Sequence, residues 1–335
     1  MQKILFIGSF LSGNKGSLSV SENVAKWLGN KVGNIQLVSY QKNKLARILD
    51  IIFTILVFKG KCIQIEVYSG TAFYITFLAV RIAKLRNKKV LLNLHGGKLP
   101  EFTSQRTKLV VNTLKSAEKI VSPSNYLIEY FKKYNIEVTY LPNPFDTSNF
   151  RFEIKNEKKF SLLWVRAFDE IYQPELAVYI LLELLKRFPE SHLTMVGPDH
   201  GKKNEITKLI SRLDLSNHVT IVGPVNNTEL SKYYQSHQVY INTTRYESFG
   251  VSLIEAASCG IAIVSNPVGE IPLLWEHGKN ILLADLNNPR DFASKIELLF
   301  SDEETYHRLT ENARNHTTQF HWNKLEHKWL NLLQQ

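Results

Sequence analysis

The sequence predicts an α/β protein built from two doubly wound, Rossmann-like domains. Its 335 residues are long for one domain and sufficient for two, each able to bury its own core. Short apolar runs rich in β-branched residues alternate with segments of helical period along the whole chain. The runs are continuously apolar, which is typical of parallel strands buried on both faces. Strand–helix alternation of this kind predicts parallel sheets covered by helices.

The strands are predicted in chain order from these runs. In the first half the runs are KILFIGSF, NIQLVSY, CIQIEVYS, KKVLLNLHG, KIVSPS and VTYLPN. In the second half they are FSLLWVRA, HLTMVGP, HVTIVGP, QVYINTT, IAIVSNP and NILLAD. Helical patterns lie between them, for example SVSENVAKWLG and PELAVYILLELLKRF. Open α/β sheets bind ligands beyond the carboxyl ends of their strands, so we expect a site in the loops that follow these runs.

The domain boundary is predicted within LPNPFDTSNFRFEIKNEKKF (Leu141–Phe160), where two prolines, an Asx-rich stretch and a charge run indicate a linker. We therefore predict an N-terminal domain of residues 1–150 and a C-terminal domain of residues 151–318, facing each other across a cleft. Residues 319–335 are predicted to form an amphipathic helix packed back on the body. Its apolar residues at helical spacing are Trp322, Leu325, Trp329, Leu332 and Leu333.

Basic charge is concentrated in the first half of the chain. The net charge is +10, but residues 1–150 carry 21 Lys and Arg against 8 Asp and Glu, whereas residues 151–335 carry 20 against 23. This asymmetry predicts an anionic partner or surface, although solubility charge on exposed helices would give the same count. We do not expect nucleic acid, because the basic half has no interleaved aromatic stack or known module.

Cysteine usage and apolar runs bear on the compartment. Cys62 and Cys259 lie far apart in apolar contexts, which predicts buried thiols in a reducing compartment. The opening MQKILFIGSF has no signal-peptide pattern. The longest apolar run, Ile48–Phe58, is about half the length that a bilayer requires. We therefore expect a cytoplasmic protein.

Cations bracket that apolar run. The flanking residues are Lys42, Lys44, Arg47, Lys59 and Lys61, and a second cluster contains Arg81, Lys84, Arg86, Lys88 and Lys89. Each surface cation near anionic lipid contributes on the order of 1 kcal/mol. The pattern predicts peripheral docking on the inner face of a membrane without spanning it. The competing interpretation is a core helix whose flanking lysines are simply solvated.

The stretch YESFGVSLIEAASCG (Tyr246–Gly260) places two glutamates around a Phe-Gly step. We predict a loop and then a helix that begins near Gly250, where free backbone N–H groups favour phosphate. Glycine there lets a ligand approach the backbone closely. Glu255, one turn into the helix, can accept two hydrogen bonds from a ribose diol, and Glu247 can accept hydroxyls beyond the phosphates. The alternative is that acidic residues in the first turn only complement the helix dipole.

This stretch and its context resemble the retaining family-4 glycosyltransferases with the GT-B fold. The family pattern has two glutamates with seven residues between them, flanking Phe-Gly and followed by a small-residue helix, and Glu247 and Glu255 match it. The resemblance continues through VSPSNYLIEYF, YLPNPFD, HLTMVGPD and HVTIVGPVNNTELSKYYQ, and is strongest from about Ser161 to Asp285. It implies that Glu255 holds the donor ribose and Glu247 the transferred sugar. The implied diphosphate-binding amides are those of Phe249, Gly250 and Val251.

The resemblance implies roles for four further residues. Arg166 in LLWVRAF matches the arginine that neutralises the diphosphate, and Gly16 would approach the phosphates, with Ser17 where a second glycine is common. His95 falls where the family has a strand-end histidine facing the transferred sugar. Judged from the residues alone, Arg166 also fits ordinary ion pairing and His95 a structural role. The family usually follows the arginine with Lys-Gly, whereas this chain has IYQPELA, which weakens the expected compensation of phosphate charge.

The function implied is that of a retaining, hexosyl-type glycosyltransferase in cell-surface polysaccharide or glycolipid biosynthesis. A UDP- or GDP-linked sugar would be the co-substrate, a glycan or lipid-linked molecule the acceptor, and no cofactor is expected. Glu247, His95 and Arg166 are the expected catalytic residues. No metal is expected, because the sequence has no DxD or His cluster suited to one and protein donors can stabilise the leaving group.

Two alternatives stay open within this resemblance. One is a catalytically degenerate partner subunit, which the missing lysine favours and the intact Glu247, Glu255 and Arg166 oppose. The other is a nucleotide-sugar 2-epimerase on the same fold, which requires additional acid and base residues that we do not find.

Overall fold

In the computed structural model, residues 3–10, 19–146, 150–153 and 160–334 are described. The chain divides into two compact units, one formed by Met1–Phe145 with Phe320–Gln335 and the other by Asp146–Gln319. The division falls within the segment where the linker is predicted. Each unit contains a parallel sheet with helices, so the predicted α/β class with two Rossmann-like domains is confirmed.

The first unit has, in its described residues, a six-stranded parallel sheet in the order β2-β1-β3-β4-β5-β6. Its strands are β1 (Ile4–Ile7), β2 (Ile35–Val38), β3 (Cys62–Val67), β4 (Lys89–Leu94), β5 (Lys119–Ser122) and β6 (Thr139–Tyr140). Its helices are α1 (Val20–Val32), α2 (Lys44–Val57), α3 (Thr71–Leu85), α4 (Leu99–Gln105), α5 (Thr107–Lys115), α6 (Asn125–Lys132) and the last helix of the chain, α14 (Trp322–Gln334).

Alternate apolar residues of the central strands β1, β3 and β4 face opposite core layers in the first unit. In β1, Leu5 and Ile7 pack in a cluster with residues of α2 and α3, whereas Ile4 and Phe6 pack in another with residues of α1 and α14. Both faces of the sheet are therefore covered by helices. This is the physical reason why the strands are continuously apolar in sequence.

The predicted amphipathic C-terminal helix is α14, and it covers one face of the first unit. Trp329 is fully buried in the cluster that contains Ile4 and Phe6. The ring of Trp322 lies 4.9 Å from that of Trp27 in α1. The apolar face of α14 therefore completes a core that α1 alone covers only in part.

The second unit has, in the residues that the structure describes, a six-stranded parallel sheet in the order β12-β11-β10-β7-β8-β9. Its strands are β7 (Ser161–Val165), β8 (His192–Val196), β9 (Val219–Val222), β10 (Val239–Asn242), β11 (Ala262–Ser265) and β12 (Leu282–Leu283). Its helices are α7 (Pro174–Leu184), α8 (Lys203–Arg212), α9 (Asn227–Ser236), α10 (Val251–Ser258), α11 (Ile271–Leu274), α12 (Pro289–Ser301) and α13 (Glu303–Thr317).

The strand order of the second unit reverses between β7 and β10, which are hydrogen-bonded neighbours. From β7 the chain crosses through α7 to β8 on one side, and from β10 it crosses through α10 to β11 on the other. Loops that leave two such strands diverge and form a crevice at their carboxyl ends. The loops after Val165 and Asn242 meet at this point, and both contain predicted site residues.

The structure also bears on the two cysteines and on the apolar run Ile48–Phe58. Both cysteines are buried free thiols, as their apolar contexts predict. The apolar run Ile48–Phe58 forms most of α2. In the described part of the chain, no helix combines the length and the apolar character needed to cross a membrane.

Candidate functional site

Arg166 lies directly after β7 and is tied to the carboxyl end of β10 and to the loop beyond it. Its Nε and Nη2 donate to the side-chain oxygen of Asn242 at 3.3 and 3.1 Å, and Nη2 also donates to Glu247 Oε2 at 2.7 Å. The side chains of Arg166 and Glu247 are only 13% and 12% exposed. Each of these buried charges is compensated by the other, because little water reaches them. The ion pair therefore fixes the geometry of the site where the strand order reverses between β7 and β10.

An aromatic ring lies beside the guanidinium of Arg166. Tyr172, in a short 3₁₀ turn (Glu170–Tyr172), places its ring centroid 5.2 Å from the guanidinium carbon of Arg166. This contact is a cation–π interaction, which adds no charge to the site. The Nη1 of Arg166 makes no hydrogen bond to the described residues, so that nitrogen is available to a ligand.

The loop after β10 is folded around the carboxylate of Glu247. Its Oε1 accepts hydrogen bonds from the backbone N–H groups of Ser248 at 3.0 Å and Phe249 at 3.3 Å. The backbone carbonyl of Glu247 accepts from the N–H of Glu270 at 3.0 Å. The Phe249 amide was predicted to bind phosphate, but in the structure it donates its hydrogen bond to Glu247.

Gly269 permits the close approach that holds this loop. It adopts a left-handed φ of +56°, and a Cβ there would lie 2.0 Å from the carbonyl oxygen of Glu247. No other residue fits without displacing the backbone of Glu247. Gly269 is therefore part of the support for the site.

The predicted helix is α10, and it begins one residue after Gly250. Gly250 is the N-cap residue with a left-handed φ of 86°, and Val251 is the first helical residue. The amides of Gly250 and Val251 make no backbone hydrogen bond to a described residue, as expected at a helix N-terminus. They are therefore free to bind an anionic group.

Glu255 lies one turn into α10 and is held by a tyrosine of α9. The hydroxyl of Tyr234 donates to Glu255 Oε2 at 2.9 Å, and Tyr234 itself is fully buried. Burial raises the pKa of Glu255 to about 7, while the hydrogen bond from Tyr234 and the charge of Arg166 act in the opposite direction. The carboxyl group is thus short of hydrogen-bond donors in the free protein.

His95 belongs to the first unit, where it directly follows β4. Its Nε2 lies against Oε2 of Glu66 in β3, and its ring stacks on Tyr68 at 5.5 Å between centroids. Glu66 Oε1 also accepts hydrogen bonds from Gln64 at 2.8 Å and from Ser21. Burial alone would raise the pKa of Glu66, but the charge of His95 and these hydrogen bonds lower the pKa below its usual value. Glu66 therefore orients the imidazole ring of His95 through its Nε2.

The structure adds residues that the sequence analysis did not single out: Glu66, Tyr234, Asn242 and Gly269. One signal was available for Glu66, which is the only acid in the buried run CIQIEV. Gly16 and Ser17 lie outside the described residues. No group of three or more His, Cys, Asp or Glu in the described ranges is placed to hold a metal ion.

A family model and several curated proteins match this chain. The model described as "Glycosyl transferases group 1" matches residues 146–316, which is about half of the chain and almost all of the second unit. D-inositol 3-phosphate glycosyltransferase of Streptomyces bingchenggensis is 28% identical over 45% of this chain and 35% of its own length. The Arthrobacter sp. (strain FB24) protein of the same name is 27% identical over 72% of this chain and 60% of its own length. This chain thus spans between about one third and three fifths of these relatives.

Solved structures match over the full chain. The Anabaena protein HepE, whose structure is described in complex with UDP and glucose, has a TM-score of 0.78 at 18% identity, with complete coverage of both chains. Sucrose-phosphate synthase of Thermosynechococcus elongatus has a TM-score of 0.80 at 17% identity, covering 99% of this chain and 98% of its own. At these identities the similarity establishes a shared fold.

The raised pKa of Glu255 predicts a pH dependence of stability. A carboxyl group whose pKa is higher in the folded than in the unfolded chain stabilises the fold fully below the unfolded value of 4.5, and this contribution is lost as the pH rises through about 7. Glu255→Gln is always neutral and keeps that contribution. In thermal unfolding of the ligand-free protein, we expect the variant to gain stability relative to the native chain between pH 4.5 and 7.5.

The matched control is Glu311→Gln, an exposed position in α13, which should run parallel to the native chain. A constant difference between Glu255→Gln and the native chain at all pH values would show that burial does not raise the pKa of Glu255.

Proposed function

Because this chain belongs to the glycosyl transferases group 1 family, we propose that it is a hexosyl-type glycosyltransferase that uses a nucleotide-sugar donor. One observation carries the proposal. Arg166 forms an ion pair with Glu247, and its charge also favours the ionised form of Glu255. The three residues lie where the strand order of the second unit reverses, beside the N-terminus of α10. An arginine and helix amides next to two carboxylates match an anionic ligand that also carries several hydroxyls.

The donor would bind with its diphosphate at the N-terminus of α10. Nη1 of Arg166 and the amides of Gly250 and Val251 would contact phosphate oxygens. Glu255 would accept both ribose hydroxyls, and Glu247 would accept hydroxyls of the transferred sugar. Support comes from the structural neighbour HepE of Anabaena, which is described with UDP and glucose and favours a UDP-linked donor over a GDP-linked one.

The reaction that we propose retains the anomeric configuration. The acceptor oxygen bonds to the anomeric carbon on the face from which the nucleoside diphosphate leaves, and the acceptor proton passes to a phosphate oxygen of that leaving group. Negative charge builds up on the diphosphate during this step. Arg166 and the α10 amides would stabilise it because they are already oriented before the ligand arrives.

His95 would face the transferred sugar, with Glu66 as a positioning residue. A carboxylate behind an imidazole fixes the orientation of the ring and favours a protonated nitrogen on the side of the carboxylate. The other nitrogen, Nδ1, would then interact with a sugar hydroxyl. The register of β3 and β4, which pairs Glu66 with Asn93, supports this role because it brings the glutamate beside the end of β4.

For the acceptor, we propose a glycan or a lipid-linked molecule in cell-surface polysaccharide or glycolipid biosynthesis, used at the cytoplasmic side of a membrane. The support is the charge of residues 1–150, which carry 21 basic against 8 acidic residues. An excess of that kind attracts anionic acceptors and anionic surfaces. The curated relatives named above act on D-inositol 3-phosphate by name, which is also an anionic acceptor.

The alternative function is that of a catalytically degenerate partner subunit. The segment IYQPELA after Arg166 favours it, because Tyr172 or Gln173 takes the place of a cation that would compensate phosphate charge. The intact ion pair between Arg166 and Glu247 favours the transferase. A 2-epimerase would require further acid and base residues, which the sequence analysis does not find.

One prediction of this proposal concerns the contact between Glu255 and the donor ribose. A hydrogen bond to a charged acceptor contributes roughly 1.5–3 kcal/mol, so Glu255→Ala should weaken the binding of UDP or GDP at least about tenfold. Calorimetric titration measures this directly, with Glu311→Ala as the matched control. Equal affinities in Glu255→Ala and the native protein would exclude the ribose role.

A second prediction concerns turnover without metal. Purified protein given the nucleotide sugar that raises its melting temperature most should slowly release sugar and nucleoside diphosphate, in excess EDTA as well as in magnesium. Absence of hydrolysis with every donor would favour the degenerate subunit. Turnover that EDTA abolishes and magnesium or manganese restores would contradict the metal-independent mechanism.

A further inference from the structure

One face of α2 is apolar and exposed to solvent. Leu45, Leu49 and Phe53 are 72%, 66% and 65% exposed, and Leu56 and Val57 are about half exposed. Leu45, Leu49 and Phe53 lie four positions apart, and Leu56 and Val57 follow Phe53 by three and four positions, so the five residues form a continuous stripe, which we call the α2 outer face. A large contiguous apolar surface of this kind marks an interaction site.

The opposite side of α2 is already used by the core. Ile51, Thr54 and Ile55 are buried against the sheet of the first unit. The core interpretation of the run Ile48–Phe58 therefore accounts for this inner side only. The one acid of the helix, Asp50, accepts a hydrogen bond from Ser39, which places it beside the outer face rather than within it.

Cations stand at both ends of the outer face. Lys42 and Lys44 lie at the start of α2, and Lys59 and Lys61 follow its end; all four are exposed. Within the described parts of the chain, none of the four makes an ion pair. Their charges are therefore uncompensated, and an anionic partner fits them.

The charged border continues onto the neighbouring helix α3. Lys88, just after α3, donates to the carbonyl of Gly60 at 2.8 Å and lies 5.7 Å from the ring of Phe58, so the end of α3 adjoins the end of α2. Next to it, Leu85 is 84% exposed and Arg86 is exposed. Apolar and basic residues are thus interleaved at this corner of the first unit.

The dimensions of α2 exclude one mode of membrane contact. Its 14 residues extend for about 21 Å, whereas the hydrocarbon core of a bilayer is about 30 Å thick. A helix with an apolar stripe and cations at its borders instead lies in the plane of the interface, with its apolar side among the acyl chains and its lysines at the headgroups.

We propose that the α2 outer face is a docking surface for anionic lipid bilayers, with Lys42, Lys44, Lys59 and Lys61 against the lipid headgroups. A second copy of the chain is a poorer occupant, because a symmetric contact through this face would bring like charges together at both ends. Anionic lipid satisfies the apolar stripe and the cations at once. The proposal requires no transferase activity, so its test is independent of the proposed function.

The test is co-sedimentation with vesicles of phosphatidylcholine alone or with one quarter phosphatidylglycerol, across a salt series. We expect the native chain to bind the anionic vesicles at low salt, with binding that falls as salt rises, and to bind neutral vesicles weakly. Leu49→Ser with Phe53→Ser should reduce binding to anionic vesicles by about tenfold or more, because two apolar anchors are lost.

The matched control is Leu273→Ser, which changes an exposed leucine of the second unit. It should bind vesicles like the native chain. Because all of these side chains are exposed, each variant should keep the native melting temperature and its affinity for nucleoside diphosphate. Equal binding by the double variant and the native chain would overturn the role of the α2 outer face, as would a native chain that stays in the supernatant with anionic vesicles at low salt.

A fluorescent label reports insertion directly. Both native cysteines are buried, so Phe53→Cys can be labelled selectively with an environment-sensitive dye. Its emission should shift to the blue with anionic vesicles, and that of labelled Leu273→Cys should not. A blue shift that depends on protein concentration and occurs without vesicles would identify a second copy as the occupant and contradict the proposal.

Discussion

The ion pair between Arg166 and Glu247 is the interaction on which the candidate site depends. It connects the ends of two adjacent strands, β7 and β10, at the point where the strand order of the second unit reverses. Removing either partner would leave the other charge buried without compensation, which costs several kcal/mol. The loop around Glu247 therefore takes its shape from an electrostatic constraint, and Gly269 permits it by letting the backbone approach closely.

The two glutamates of this site differ in how well they are satisfied. Glu247 already accepts hydrogen bonds from Arg166, Ser248 and Phe249, so it forms a preorganised group. Glu255 has Tyr234 as its donor, and burial raises its pKa to about 7. A ligand with a vicinal diol would supply the two donors that Glu255 lacks and favour its charged form. The Arg166–Glu247 pair is thus preorganised, whereas Glu255 is short of donors at the place where we propose that a nucleoside binds.

Much of the fold follows from the sequence because the physical signals are local. Each of the twelve apolar runs contains one of the strands in the described residues, since burial on both faces demands continuous apolar side chains. The helix after Gly250 and the buried cysteines are also correctly predicted. The pairing of Glu66 with His95 was not foreseen, because it depends on the register between β3 and β4 rather than on spacing in sequence.

The α2 helix shows a second limit of prediction from the sequence. It is apolar on nearly all sides, so periodicity alone cannot tell which face the core covers. The sequence offered a core helix or a membrane-docking segment as alternatives. In the structure one face is buried and the other exposed, so the core role holds for one face and membrane docking stays a prediction for the other.

The central claim, that Arg166 compensates the charge of a diphosphate, is tested most directly by comparing UDP or GDP with the corresponding nucleoside in calorimetric titrations. Arg166→Gln should lose about ten- to a hundredfold in diphosphate affinity, while its affinity for the nucleoside stays native. The double variant with Glu247→Gln leaves no unpaired buried carboxylate and should show the same selective loss. If either variant keeps the native preference for the diphosphate over the nucleoside, Arg166 does not bind the phosphates and the account is wrong.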